Sequence, residues 1–523
     1  MVTNMSKYTQ KERGGLFELT DAAMVELVDS KYYNKDLAPT PLYKRNWNTY
    51  HIASLWIGMS VCLPAFALSS SLVALGLSPW LAVLNVVLGN LIVLIPIQLN
   101  SHAGTKYGIP FPVFSRMTFG ALGAHVPSLS RAITACGWNA IQCWVGGAAL
   151  VSLISSFFPA FQNLPAARYI GFFIFLGIVC LIAASGSGAI KVMEAISAPI
   201  LIALTFGLFL WSLLIAAGGD ANGVSYSFGE IIQSSTNKEI VDSNGGFWLV
   251  FLGGLTGNIA FWATMALNIP DFSRFAVSQR SQFRGQLYGM PLAMAACAFV
   301  GAFFAQATSL VGITDAGGNP VFDPTEVLSH LGNPFISFIV SFGVIIATMT
   351  TTIAANVVGP ANGFSNISPK KISYALGVIA SCVIAIIYQP WYILGSAGSY
   401  IFNWLNVYGG ILAPIAAIFV ADYYMVKKQN IDVMALYQGR EGRYWYRSGW
   451  NIRAVIAWVC GFLPPTLGSS VLSSNELFSW ISANGYIVGF IVGMVVYVIL
   501  MRGENTSFLS DEEVRVMTDN GVN

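Results

Sequence analysis

Residues 80–99 read WLAVLNVVLGNLIVLIPIQL, twenty positions without one charged side chain. A helix rising about 1.5 Å per residue covers about 30 Å over that length, the thickness of the hydrocarbon core of a bilayer. Comparable apolar runs recur near 50–72, 127–155, 168–186, 192–217, 246–268, 287–310, 334–358, 372–390, 393–421, 451–470 and 478–501. The expected fold is an all-α membrane protein with about 12 transmembrane helices. Composition agrees, because 55% of the 523 residues are apolar and 10% are charged. Soluble domains carry roughly 25% charged residues, and a fraction this low could not cover a water-facing surface. The lipid bilayer is therefore an expected partner. A net charge of +2 gives no reason to expect a nucleic acid polymer.

The first 48 residues mix both charge signs and lack the apolar core of a signal peptide. With this arm placed in the cytoplasm, every Lys and Arg except Arg168 and Lys238 falls on the cytoplasmic side of the expected spans. By the positive-inside rule both termini are cytoplasmic and the number of spans is even. The chain then divides into an N-terminal arm (1–48), a ten-helix transport core (49–421), a cytoplasmic loop (422–450), two additional helices (451–501) and a tail (502–523). The expected location is the plasma, or inner, membrane. Acidic loops at 218–245 and 311–333 are expected to cap the outer face. Cys62, Cys136, Cys143, Cys180, Cys297, Cys382 and Cys460 all lie in apolar runs without metal-ligand spacing, and are read as free thiols.

Small and helix-breaking residues interrupt spans one and six: Gly58 through Pro64 in the first, and Gly253, Gly254 and Gly257 in the sixth. Backbone freed by unwinding is tolerated at membrane depth where it lines a cavity or coordinates a guest. Close helix packing through small residues is the simpler account of the same pattern. Position favours the first account, since spans one and six are equivalent members of two five-span units, the arrangement of an inverted repeat with a midplane site.

Trp138 and Gln142 stand four residues apart on the third span, and Asn258 and Trp262 at the same spacing on the sixth, so each pair shares one helical face. Two facing indoles could sandwich a planar ring, each stack contributing about 0.5–1.5 kcal/mol beyond burial. Gln142 and Asn356 each offer a donor and an acceptor, matching the N–H and C=O edge of a lactam, ureide or pyrimidine. Ionisable groups are nearly absent from the runs, with Glu194 and Asp271 at cytoplasmic span ends and His51, His102, His125 and His330 near boundaries. A cation site would then be neutral, and Thr350 and Thr351 offer oxygens beside the broken first span. Such chemistry suits sodium. Hydroxyls in a membrane helix also bond commonly to their own preceding turn.

Four longer segments carry a resemblance: Ala103-Gly-Thr-Lys-Tyr-Gly-Ile-Pro-Phe-Pro-Val113, the Gly137-Trp138 run ending at Gln142, Phe261-Trp-Ala-Thr-Met-Ala-Leu-Asn-Ile-Pro-Asp-Phe-Ser-Arg-Phe275, and Ala354-Ala-Asn-Val-Val-Gly-Pro-Ala-Asn362. In them the chain resembles the nucleobase:cation symporter-1 family, closest to its allantoin and uracil branch. The resemblance implies a five-plus-five inverted repeat followed by two extra C-terminal helices, working by alternating access. It also implies that Trp138 and Trp262 stack on substrate, that Gln142 and Asn356 bond it, and that sodium is held by carbonyls of Gly58, Val61 and Ala347 with the hydroxyls of Thr350 and Thr351. Cys62 stands where the family's hydantoin transporter has glutamine, and Thr352 where many relatives have a substrate-binding asparagine. Both positions are counted in the expected pocket. The implied substrate is a small neutral heterocycle, uracil or allantoin before purine bases, cytosine or hydantoins, with sodium as coupling ion, the proton as alternative, and no further cofactor. An intramembrane enzyme would need a nucleophile and base at helical spacing, and a channel a filter loop or charged ring; neither is legible. An amino-acid carrier of the same architecture would have to neutralise a carboxylate and an ammonium at once.

Overall fold

The computed structural model describes residues 10–219, 223–313, 334–393, 399–469, 472 and 474–502. Seven helices among them are long and apolar enough to cross a bilayer: Pro79–Tyr107, His125–Ser155, Ala167–Ala184, Ala195–Gly218, Gln279–Leu310, Ser337–Ile367 and Asn406–Val426. Two bent pairs, Thr49–Ser60 with Leu63–Ala74 and Glu476–Ala483 with Gly485–Leu500, raise the number to nine. Shorter apolar helices Phe247–Phe261, Tyr374–Ile387 and Ile452–Gly468 lie where the sequence places spans six, nine and eleven. Among the described residues, seven to nine helices thus meet the length and composition of a full crossing, and the three shorter ones stand at further expected spans.

The first span breaks where its small residues predict, bending by 54° between Ser60 and Leu63. Pro64 near the start of the second half has no amide to offer the helix before it, and Val61, at φ −81° and ψ 84°, leaves helical geometry. The sixth span behaves differently. Its helix runs unbroken through Gly253, Gly254 and Gly257 and is interrupted at Trp262, where φ is −99° and ψ 11°. Two of the glycines serve packing instead: a methyl at Gly254 would press on Leu72, and one at Gly257 on Ile401 and Asn406. The expected last span, 478–501, is also no single rod. It turns by 87° at Asn484, whose amide bonds the Trp480 carbonyl at 2.9 Å and so ends the preceding helix.

Close glycine contacts sort the core into two bodies. In the first, Gly89 abuts Asn258, Gly104 abuts Pro270, and Gly285 and Gly289 abut Ile52 and Ala53, which joins spans one, two, six and seven. In the second, Gly147 and Gly171 face each other, Gly363 meets Ser128 and Gly377 meets Ala361, which joins spans three, four, eight and nine. Without a hydrophobic drive between helices in lipid, such small-residue contacts are the means of tight association.

From residue 10 onward the arm is a folded element. Strands Gln10–Arg13 and Leu16–Leu19 pair antiparallel through Gly14 and Gly15, both at positive φ, as a two-residue hairpin requires. Arg45 is buried and donates to the carbonyls of Thr40 and Thr105, both at 2.9 Å. Burial pulls this guanidinium down to about 10 against the opposing charge of Glu18, so it stays cationic at neutral pH. Asn34 reaches the Pro369 carbonyl at 2.7 Å, and Tyr437, in the 422–450 loop, reaches the Leu37 carbonyl at 2.6 Å. That loop holds a buried ion pair at its start, Lys427 with Asp422 at 2.5 Å.

In the loop at 218–245, helices Phe228–Ile232 and Lys238–Ser243 form, and the Asn237 amide bonds the Gly76 carbonyl at 2.8 Å. Residues 314–333, including His330, and the tail from 503 lie outside the described residues. All seven cysteines are free thiols, five of them buried. Asn48 opens the first span by accepting the His51 amide in a capping box. Asn48→Ala is expected to cost about 1 kcal/mol of stability, seen as a lowered melting temperature in detergent; an unchanged melting temperature would count against the cap.

Candidate substrate and cation site

The interruption at Trp262 and a π-helical segment, Thr352–Val357, face one another across the seam between the two bodies. A small cavity lies there, about 20 Å³, lined by Met59, Phe261, Trp262, Thr264 and Met265 from the first body and by Trp138, Gln142, Thr351, Ala355 and Asn356 from the second. None of these ten side chains is ionisable. The volume suits about one water molecule, so a six-membered ring enters only if lining side chains move apart. π segments inside helices recur at functional sites because the widened turn redirects side chains and backbone; here it is the turn carrying Asn356.

Neighbours fix both indoles by their N–H groups. Trp138 donates to the Tyr408 hydroxyl at 3.1 Å and Trp262 to the Asn90 side-chain oxygen at 2.8 Å. Phe261 sits between them, edge-on to Trp138 at 5.2 Å and to Trp262 at 4.9 Å. With their N–H groups occupied, the indoles offer the cavity apolar surface. Gln142 keeps its side-chain oxygen buried and without a protein partner, an acceptor that an incoming N–H would satisfy.

Three residues from the sequence reading stand apart from the lining. Thr352 donates to the Asn139 side-chain oxygen at 2.8 Å, behind the cavity wall. Cys62 is fully buried at the start of the second half of the first span and does not line the cavity. Asn258 turns toward span two and donates to Asn85 at 2.7 Å. Conversely, Met59, Phe261, Thr264, Met265 and Ala355 escaped the sequence reading. Thr264 and Met265 were open to inference once the break was placed at Trp262, since they begin the next helix.

Immediately beside the cavity, oxygens from spans one and eight converge. The Thr350 hydroxyl lies 3.2 Å from the Gly58 carbonyl and 3.0 Å from that of Ala347. The Thr351 hydroxyl lies 2.9 Å from each of the same two carbonyls, and 3.3 Å from that of Met59. The bonds to Ala347 are local ones within the helix, whereas those to Gly58 cross to the broken span. These are hydrogen-bond separations; a cation holding the same oxygens at roughly 2.4 Å would spread them to roughly 3.4 Å along an octahedral edge, and four neutral oxygens suit a monovalent ion. Val61 contributes to the break itself, its amide closing on Ile57 at 3.0 Å. Among the described residues no cluster of three His, Cys, Asp or Glu forms that could hold a metal.

Residues 39–496 match the family model for permeases of cytosine and purines, uracil, thiamine and allantoin. The chain belongs to this permease family. Its members are transporters rather than enzymes, and the chain is accordingly an integral, multi-pass membrane protein. A purine-uracil permease of Arabidopsis thaliana is 37% identical over 92% of this chain and 80% of its own length. An allantoin permease of Bacillus subtilis is 34% identical over 92% of this chain and 95% of its own. In fold, the permease resembles Mhp1, a nucleobase-cation-symport-1 family transporter solved in a closed conformation with bromovinylhydantoin bound. The TM-score is 0.71 at 22% identity, covering 93% of this chain and 99% of Mhp1.

Proposed function

We propose that this permease is a secondary active symporter that imports a small, planar, neutral nitrogen heterocycle together with a cation, by alternating access between its two bodies. The observation that carries the proposal is the lining of the seam cavity: two indoles, one phenyl ring and two carboxamides, with no ionisable group. Aromatic faces favour a flat guest, and the carboxamides supply the donors and acceptors a polar ring edge needs. A substrate bearing separated charges would meet nothing to neutralise it, which disfavours an amino acid. Uracil and allantoin rank first, with purine bases, cytosine and hydantoins behind, on the strength of the two relatives and of the carboxamide pair. Sodium ranks before the proton, because the oxygen cluster at Thr350 and Thr351 is neutral and adjoins the cavity.

One observation favours a proton-coupled variant. Asp271 is buried and accepts the Phe111 amide at 3.0 Å and the Asn268 side chain at 3.3 Å, a carboxylate near the seam available for protonation. Glu194, the other acid considered, has its side chain outside the described residues. Uptake of labelled uracil, allantoin and leucine, measured with and without a sodium gradient and with an imposed pH gradient, separates these readings. The expected result is uptake of uracil or allantoin stimulated by sodium; transport of leucine would overturn the heterocycle, and uptake driven by pH alone would overturn sodium.

A further inference from the structure

Arg131 is wholly buried, on the third span two turns before Trp138. A cation placed inside a membrane protein is costly, and where one persists it is paired and has a function. One nitrogen of its guanidinium, Nη2, makes two bonds: to the Ala355 carbonyl at 2.6 Å and to the Asn268 side-chain oxygen at 2.9 Å. Ala355 belongs to the same body as Arg131 and lies in the π segment, next to Asn356; both residues line the cavity. Asn268 belongs to the other body, at the end of the helix that begins just after Trp262. Its amide continues to Asp271, which is tied in turn to the amide of Phe111. Room for the guanidinium is made by Gly359, where any Cβ would overlap it. Nε and Nη1 of Arg131 have no protein partner, so the contact to Asn268 is held by one bond and can be broken without dismantling a larger network.

A bond that joins the two bodies on the arm side of the cavity must part if the cavity is to open toward that side. We propose that Arg131 is the inner latch of the transport cycle: its bond to Asn268 holds the arm side of the cavity shut, and the same nitrogen, through the Ala355 carbonyl, fixes the π turn that presents Asn356. Opening and substrate contact then share a guanidinium, which makes Arg131 a positioning residue for Asn356 as well as a gate. The gating half rests on the two-body geometry alone; the positioning half rests on the proposed substrate cavity.

The test uses the full-length protein in membrane vesicles, with Cys460→Ser removing the exposed thiol and Thr264→Cys placing a reporter in the cavity. A membrane-impermeant thiol reagent is supplied to the face that carries the arm. Asn268→Ala breaks the latch and leaves the bond to Ala355, whereas Arg131→Lys shortens the side chain and withdraws the nitrogen, Nη2, that reaches both partners. Both are expected to speed labelling of the reporter, on the order of tenfold, the effect of losing one hydrogen bond to a charged group. Binding of labelled uracil or allantoin at equilibrium should fall more in Arg131→Lys than in Asn268→Ala. Unchanged labelling in both variants would overturn the latch. Equal losses of binding would overturn the positioning role. A parent protein that binds neither compound would defeat the substrate reading while leaving the labelling result to stand, and if Arg131→Lys fails to reach the membrane, Asn268→Ala tests the latch by itself.

Discussion

Trp138→Ala is expected to raise the substrate concentration for half-maximal uptake by roughly 5- to 150-fold, equivalent to about 1–3 kcal/mol. Two losses add. The guest loses one aromatic face, and the Tyr408 hydroxyl that receives the indole N–H loses its donor beside the cavity. Because the indole also packs edge-on against Trp404 at 5.9 Å, general loosening of the helices could mimic part of the effect. Trp144→Phe is the control for that. It lies six residues on along the same helix, with its ring against Tyr169 and Trp391 at 5.4 Å each, and does not line the cavity. It is expected to change uptake affinity by no more than about twofold, the size of an ordinary substitution away from the site. Kinetics in Trp138→Ala that match the parent would remove the indole from the substrate pathway.

Periodicity and composition made the membrane architecture legible, and spacing placed Trp138 with Gln142 on one helical face, while Trp262 and Asn356 joined them through side-chain chemistry and the family resemblance. These are local signals: a helical face is fixed by residues three or four apart. What escaped depends on contacts between distant segments. Gly253, Gly254 and Gly257 look like a helix break in sequence, and only the neighbours of Gly254 and Gly257 in spans one, two and ten reveal packing surfaces. Arg131 reads as one more cytoplasmic cation, yet its guanidinium is buried because Gly359, more than two hundred residues away, leaves space for it. Thr352 and Asn139 form a pair that no spacing rule couples. The arm, likewise, is a run of mixed charge whose order comes from the turns it binds, Pro369 and Phe275 among them. The π turn at Thr352–Val357 has no sequence signature, although it sets the direction of Asn356.

Sodium activation should separate Thr350 from Thr351, because the two hydroxyls share a cluster of oxygens but only Thr351 also lines the cavity. Losing one oxygen that faces a charged guest costs about 1.5–3 kcal/mol. The sodium concentration for half-maximal uptake should therefore rise by on the order of tenfold to a hundredfold in both Thr350→Ala and Thr351→Ala. Coupling between two bound ligands is reciprocal, so weakened sodium binding lowers apparent substrate affinity, and saturating sodium removes that part. Thr350→Ala should accordingly recover the parent's substrate affinity at high sodium. Thr351→Ala should not, since its methyl and hydroxyl also shape the substrate wall, and Thr351→Ser should restore the sodium response by returning the oxygen. If both alanine variants respond to sodium as the parent does, the cluster is a set of ordinary hydroxyl-to-helix bonds, and the coupling group must be sought at Asp271, where the bond between Asn268 and the carboxylate would make protonation and the inner latch a single event.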